Sequence, residues 1–189
     1  MSPHPSPDRL QVLVGHPAPT SRTHRAADQL ANALATVPFL PQSPRTTALG
    51  ALAGSLHRTD DAAVLDARQH VAEAQLLVVA TPSYKGSLTG VLKSFLDLVP
   101  AGGLRETVVV PLVTAGSPVH GAQTDRHLRD VLDALDALLP TRSLVLPEQA
   151  LDDVDGEIDR WVTRWAPVLT ATLHGQGRQA AYQLAGAAR

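Results

Sequence analysis

Short apolar runs alternate along the chain with stretches whose apolar residues recur every three or four positions, and this alternation predicts strand and helix in turn. The clearest unit begins at Leu76–Ala80, an apolar run of strand length with polar ends, as expected of a strand buried on both faces of a parallel sheet. Thr81-Pro82 closes it, because proline has no N–H for a ladder and holds the residue before it extended. After the polar loop Ser83–Gly86 the period changes. Leu88, Val91, Leu92, Phe95, Leu96 and Val99 fall at helical spacing, with Ser87 placed to cap the helix and Pro100 to end it.

The same alternation predicts the rest. Leu10–Val14 reads as the first strand, followed by a loop from Gly15 and a helix over Arg22–Ala35. Thr36–Leu40 is a candidate second strand, with Pro38 confining it to an edge or a strand start. An irregular connection from Pro41 to Thr59 carries one helical turn near Ala48–Leu56, and Asp60 or Asp61 caps a helix running to Ala74. Thr107–Thr114 is a further buried strand, in which Pro111 needs a bulge or an unpaired N–H position. Thr124 or Asp125 caps the next helix, Arg142–Leu146 is the last strand, and the acidic run Asp152–Glu157 supplies first-turn carboxylates to a final helix. That helix carries Ile158, Trp161, Val162 and Trp165 on one stripe, a core or subunit-interface pattern, with Pro167 kinking or splitting it. Right-handed crossovers then give an α/β fold, a five-stranded parallel sheet with helices on both faces, whose flavodoxin-like form has the strand order 2-1-3-4-5. Residues 10–174 form the domain. Residues 1–9 are a polar, Pro-rich disordered arm, and 175–189 a tail that is mobile or contacts another subunit.

Composition narrows the function classes. The 189 residues include no cysteine, which excludes disulfides, thiolate metal sites and a cysteine nucleophile. Net charge is −2 with both signs interspersed, unlike a nucleic-acid or membrane-binding surface. The first residues lack the apolar stretch of a secretory signal and no run approaches bilayer length, so a soluble cytoplasmic protein is expected. The eight histidines form no metal-ligand pair, the acidic run fails calcium-loop spacing, and there is no G-x-S-x-G, Walker or G-x-G-x-x-G pattern. No metal site is expected.

In this fold the loops after the first, third and fourth strands meet at the switch point where FMN binds. The first contains Ser21, Arg22 and Thr23 at a helix start, where free N–H groups, hydroxyls and a planar guanidinium suit a phosphate. A plain N-cap at Ser21 and a solvated Arg22 explain the same residues. The other two loops, Pro82–Gly86 and Thr114–His120, offer glycine, hydroxyls and backbone N–H groups to a polar ring.

The run Thr-Pro-Ser-Tyr-Lys-Gly-Ser-Leu-Thr-Gly-Val-Leu-Lys from Thr81 to Lys93, followed by Phe95–Pro100, resembles the signature of the NAD(P)H-dependent FMN reductases. Within that family it is most similar to the reductases that feed two-component monooxygenases such as those for alkanesulfonates. The Gly15-x-Pro17 turn with Ser21-Arg22-Thr23, and Thr114–His120, resemble the family in the expected order. The resemblance implies an NAD(P)H:FMN oxidoreductase that transfers hydride from NADPH or NADH to FMN. It would supply reduced flavin to a partner flavin-dependent monooxygenase and assemble as a homodimer or homotetramer. It places the phosphate at Ser21, Arg22 and Thr23, with His16 standing where many members have serine. It places the ring at Pro82, Ser83, Tyr84, Lys85 and Gly86 and at Thr114, Ala115, Gly116 and Ser117, with His120 beside them; Ala115 replaces a family glycine. No side chain is required as a catalytic acid or base, and Lys85 either orients the nicotinamide or faces solvent. Tyr84 is the one aromatic residue in these loops, so flavin should bind modestly and leave once reduced. A flavin-retaining quinone or azo reductase, and a non-catalytic flavin-binding subunit, are the alternative readings.

Overall fold

The computed structural model describes the backbone of residues 10–187 and the side chains of residues 10–176; the expected N-terminal arm lies outside the described residues. Five parallel strands, β1 (Leu10–Val14), β2 (Arg45–Ala48), β3 (Leu76–Pro82), β4 (Val108–Ala115) and β5 (Leu144–Pro147), pair in the order β2-β1-β3-β4-β5. This is the expected flavodoxin-like order. Side chains alternate across the strands, so β1, β3 and β4, buried on both faces, each feed two cores. Leu10, Val12, Val14, Leu76, Val78, Val110 and Leu112 pack under helices α1 (Arg22–Ala35) and α5 (Asp155–Ala187). Leu13, Leu77, Val79, Val109 and Val113 pack under α2 (Ala62–Ala72), α3 (Gly90–Leu96) and α4 (Pro118–Asp133).

Several elements fall where the pattern put them. Helix α1 runs over Arg22–Ala35, and Asp61 caps α2 by accepting from the N–H groups of Ala63 and Val64. Pro111 causes no bulge. Val108 N–H bonds Gln75 on the β3 side and Val109 N–H bonds Leu138 on the other, so the position of Pro111 also faces away from β3. β5 joins only at Leu112, which leaves that site with no ladder bond to lose.

Others differ. Thr36–Leu40 is not a strand: Thr36 and Val37 N–H groups bond back to α1 carbonyls, and Phe39 sits at φ +69° and is exposed. The second strand is Arg45–Ala48, a partly exposed edge strand whose polar run gave no apolar signal. Helix α3 is capped by Thr89 rather than Ser87 and ends at Leu96, before Pro100. Helix α4 is capped by Ser117, with Pro118 in its first turn, rather than by Thr124 or Asp125. It takes in Gly121, where a Cβ would come within 2.9 Å of Val145, so the missing side chain lets α4 lie close on β5. The last strand starts at Leu144, two residues later than Arg142, and α5 passes through Pro167 without splitting.

The carboxyl edge of the sheet depends on Pro82. Gly15 N–H continues the β1–β3 ladder to Ala80 O at 2.7 Å. In a parallel register the next bond would run from the N–H of residue 82 to Gly15 O, and proline has none. The Thr89 hydroxyl supplies it instead, 2.5 Å from Gly15 O, while its oxygen also accepts Leu92 N–H at the α3 cap. Thr81 Oγ1 accepts Thr89 N–H in turn, and all three groups are buried. Thr89→Val keeps the shape and removes both bonds. It is expected to lower unfolding free energy by about 1–3 kcal/mol in urea denaturation.

Candidate functional site

At this edge the structure has a cleft of about 200 Å³ lined by His16, Arg22, Thr23, Pro82, Ser83, Tyr84, Thr114, Ala115, Gly116, Glu148 and Leu151. A larger and more open apolar hollow lies between Val37–Phe39 and α5 at the other end of α1, away from these loops. Polar donors and the ends of three strands converge only on the smaller cleft of the two.

Its first wall is the start of α1. Ser21 is the N-cap: its hydroxyl accepts His24 N–H at 3.0 Å, and it does not line the cleft. Among the described residues no protein acceptor meets the N–H groups of Arg22 or Thr23, so the positive end of α1 opens to the cleft through them. Thr23 is buried and its hydroxyl is taken by Thr114 Oγ1 at 2.7 Å, a bond that ties the first loop to β4. The Arg22 guanidinium is also occupied, by the carboxylate of Glu148.

The second wall is the β3–α3 loop. Tyr84 and Ser87 exchange both backbone hydrogen bonds, at 3.0 and 3.2 Å, around Lys85 and Gly86 with φ +56° and +77°. Positive φ at both central positions makes this a type I′ hairpin turn. Lys85 and Gly86 form the turn's tip, with Lys85 exposed, and neither lines the cleft; Pro82, Ser83 and Tyr84 do. Ser83 is held by its N–H to Thr114 O (2.7 Å), by its hydroxyl to His120 O (3.2 Å) and by the Thr124 hydroxyl (2.7 Å). His120 thus acts from outside the cleft through its carbonyl. Ser117 likewise stands outside as the α4 cap.

His16 closes the mouth between these walls. Its Nδ1 lies 3.0 Å from Ala18 N and 3.2 Å from Ala18 O, and its Nε2 lies 3.2 Å from the Tyr84 hydroxyl. The two rings meet edge to face at 6.2 Å between centroids. The third wall is Thr114–Gly116, where Gly116 N–H also lacks a protein acceptor among the described residues.

Nine of the fourteen residues expected at the site therefore line one cleft; Ser21, Lys85, Gly86, Ser117 and His120 stand outside it. Glu148 and Leu151 were not anticipated. They belong to a one-turn 3₁₀ helix, Glu148–Leu151, directly after β5, and Pro147 pairs with Ala115. A fourth carboxyl-end loop beside β4 was the available signal, but nothing in the residue pattern marked it.

A doubly wound parallel sheet with a polar cleft at its switch point is the architecture of a flavodoxin-like nucleotide-binding domain. The chain belongs to the NADPH-dependent FMN reductase family, whose model matches residues 9–151. It is 44% identical over 80 residues to an FMN reductase (NADPH) of Pseudomonas putida, covering 42% of this chain and 41% of the relative. It is 42% identical over 82 residues to the NADH-dependent FMN reductase SfnF of Pseudomonas putida, covering 42% of this chain and 43% of the relative. The matched part thus spans about two fifths of the length of these curated relatives. The solved apo structure of an NADH:FMN oxidoreductase, EmoB, superposes with a TM-score of 0.66 at 30% identity, over 80% of this chain and 87% of that one.

The hairpin tip has a direct test. A Cβ at Gly86 would meet Gln123 Oε1 at 2.5 Å and would sit at positive φ. Gly86→Ala should lower stability by about 1–2 kcal/mol in urea unfolding, whereas Lys85→Asn, which tolerates the left-handed region, should leave it unchanged or raise it slightly.

Proposed function

We propose that the protein is an NAD(P)H:FMN oxidoreductase that takes hydride from NADPH or NADH and releases reduced FMN to a partner flavin-dependent monooxygenase. One observation carries this reading: Arg22, Thr23 and Gly116, whose amides meet no protein acceptor among the described residues, line the same cleft. A flavin mononucleotide needs that donor set, with anion donors at one end and donors to a polar ring edge at the other.

The residues present fit the group. Arg22 and Thr23 would hold the phosphate through their N–H groups, and the Arg22 guanidinium would add a charge-assisted bond once freed. Pro82 and Tyr84 would give the ring an apolar wall, with Gly116 N–H available to its polar edge. When bound, FMN supplies the hydride acceptor, and the chain's task is to position and to exclude water. Tyr84 and His16 meet across the mouth, and Tyr84 is the one Phe, Tyr or Trp among the residues lining the cleft. A one-sided grip favours release, as a supplier of diffusible reduced flavin requires. The names of the relatives include both NADPH- and NADH-dependent reductases, and both nicotinamides belong in the assay.

With FMN and each nicotinamide in turn, the protein should remove nicotinamide absorbance catalytically; no decay with either would overturn the activity. Arg22→Ala should weaken FMN binding about tenfold, the loss of one charge-assisted hydrogen bond, and leave riboflavin binding unchanged in a fluorescence titration.

A further inference from the structure

Among the residues lining the cleft, Arg22 is the sole lysine or arginine and Glu148 the sole carboxylate, and they are paired with each other. The pairing is built into the packing of α1 against the chain after β5. Arg22, Arg25 and Gln29 lie three and four residues apart on one face of α1. They reach Glu148, Leu151 O and Asp155, in each case 126 residues further on. Arg25 and Gln29 hold the two segments side by side, which keeps Glu148 within reach of Arg22. Its other oxygen points toward Gly116, where an added Cβ would lie 3.4 Å away.

Resting on the flavin reading above, we propose that Glu148 is an internal competitor for the phosphate subsite. In the free protein its carboxylate occupies the Arg22 guanidinium that a flavin phosphate needs. Phosphate binding must displace it, because two anions sharing one exposed cation repel each other. The displacement is feasible, since Arg22 and Glu148 side chains are 47% and 50% exposed and an exposed pair of this kind is weak. The residue thereby sets specificity as well as grip: it acts against phosphate-bearing flavins and leaves riboflavin unaffected. It also speeds departure of the reduced nucleotide by re-forming the bridge behind it.

The test is titration of FMN and riboflavin, read by flavin fluorescence, against the native protein, Glu148→Gln, Arg22→Ala and the double variant. Glu148→Gln should bind FMN about three- to tenfold more tightly, chiefly through slower dissociation, with riboflavin unchanged. In the Arg22→Ala background the same substitution should gain less than about twofold, because the contested cation is gone. Glu148→Ala, read the same way, serves should Glu148→Gln not fold. Unchanged or weaker FMN binding by Glu148→Gln, or an equal loss of riboflavin, would overturn the proposal and make Glu148 a positioning partner of Arg22 or a ring contact. Folded native protein and Glu148→Gln that both ignore FMN would bring down the flavin reading and this inference together.

Discussion

The carboxyl edge of this sheet is shaped by one missing hydrogen bond. Pro82 cannot donate to Gly15 O, so the β1–β3 ladder stops there, and the Thr89 hydroxyl takes the carbonyl in place of a backbone amide. That substitution draws the start of α3 over the end of β1 and frees the β1 chain to turn away toward α1. Meanwhile β3 and β4 stay paired through Pro82 and Thr114, and Ser83 N–H extends that pairing to Thr114 O. The cleft lies over the resulting step between the end of β1 and the longer pair beside it. Its walls then follow: the α1 start on one side, the Tyr84–Ser87 turn on another, and Thr114–Gly116 on the third.

The cleft combines backbone charge with one side-chain ion pair. The helix end offers uncompensated amides at Arg22 and Thr23, a fixed partial positive charge that survives whatever the side chains do. The mobile charge, the Arg22 guanidinium, is already shared with Glu148 at a half-exposed position. The Thr23–Thr114 hydroxyl pair below them is buried and locks the two walls together. Backbone donors and a half-exposed side-chain pair thus stand together over a buried hydroxyl bond.

The core of the fold was legible because β1, β3 and β4 are buried on both faces, and burial on both faces writes continuous apolar runs. Helix α1 was legible to the residue, its cap Ser21 and apolar stripe agreeing. The edge strand β2 was not: Arg45, Thr46, Thr47 and Ala48 need no apolar pattern at a partly exposed edge, while Val37 and Leu40 mimic a strand by burying from turns. The caps of α3 and α4 were misplaced where two cap-competent residues compete. Thr89 prevails over Ser87 because a buried carbonyl at Gly15 needs its hydroxyl. Ser117 prevails over Thr124 because Pro118 starts a helix well and Thr124 is drawn to Ser83. Of the site, the residues that line the cleft from three loops were visible as loop chemistry. Glu148 was not, since only the packing of α1 against the β5–α5 segment brings it to Arg22.

Whether the three walls form one flavin mononucleotide site is decided by a crystal structure of the protein soaked with FMN. The phosphate should lie against the N–H groups of Arg22 and Thr23, and the ring between Pro82–Tyr84 and Ala115–Gly116. An empty cleft at saturating FMN, or a flavin bound elsewhere on the molecule, would contradict it.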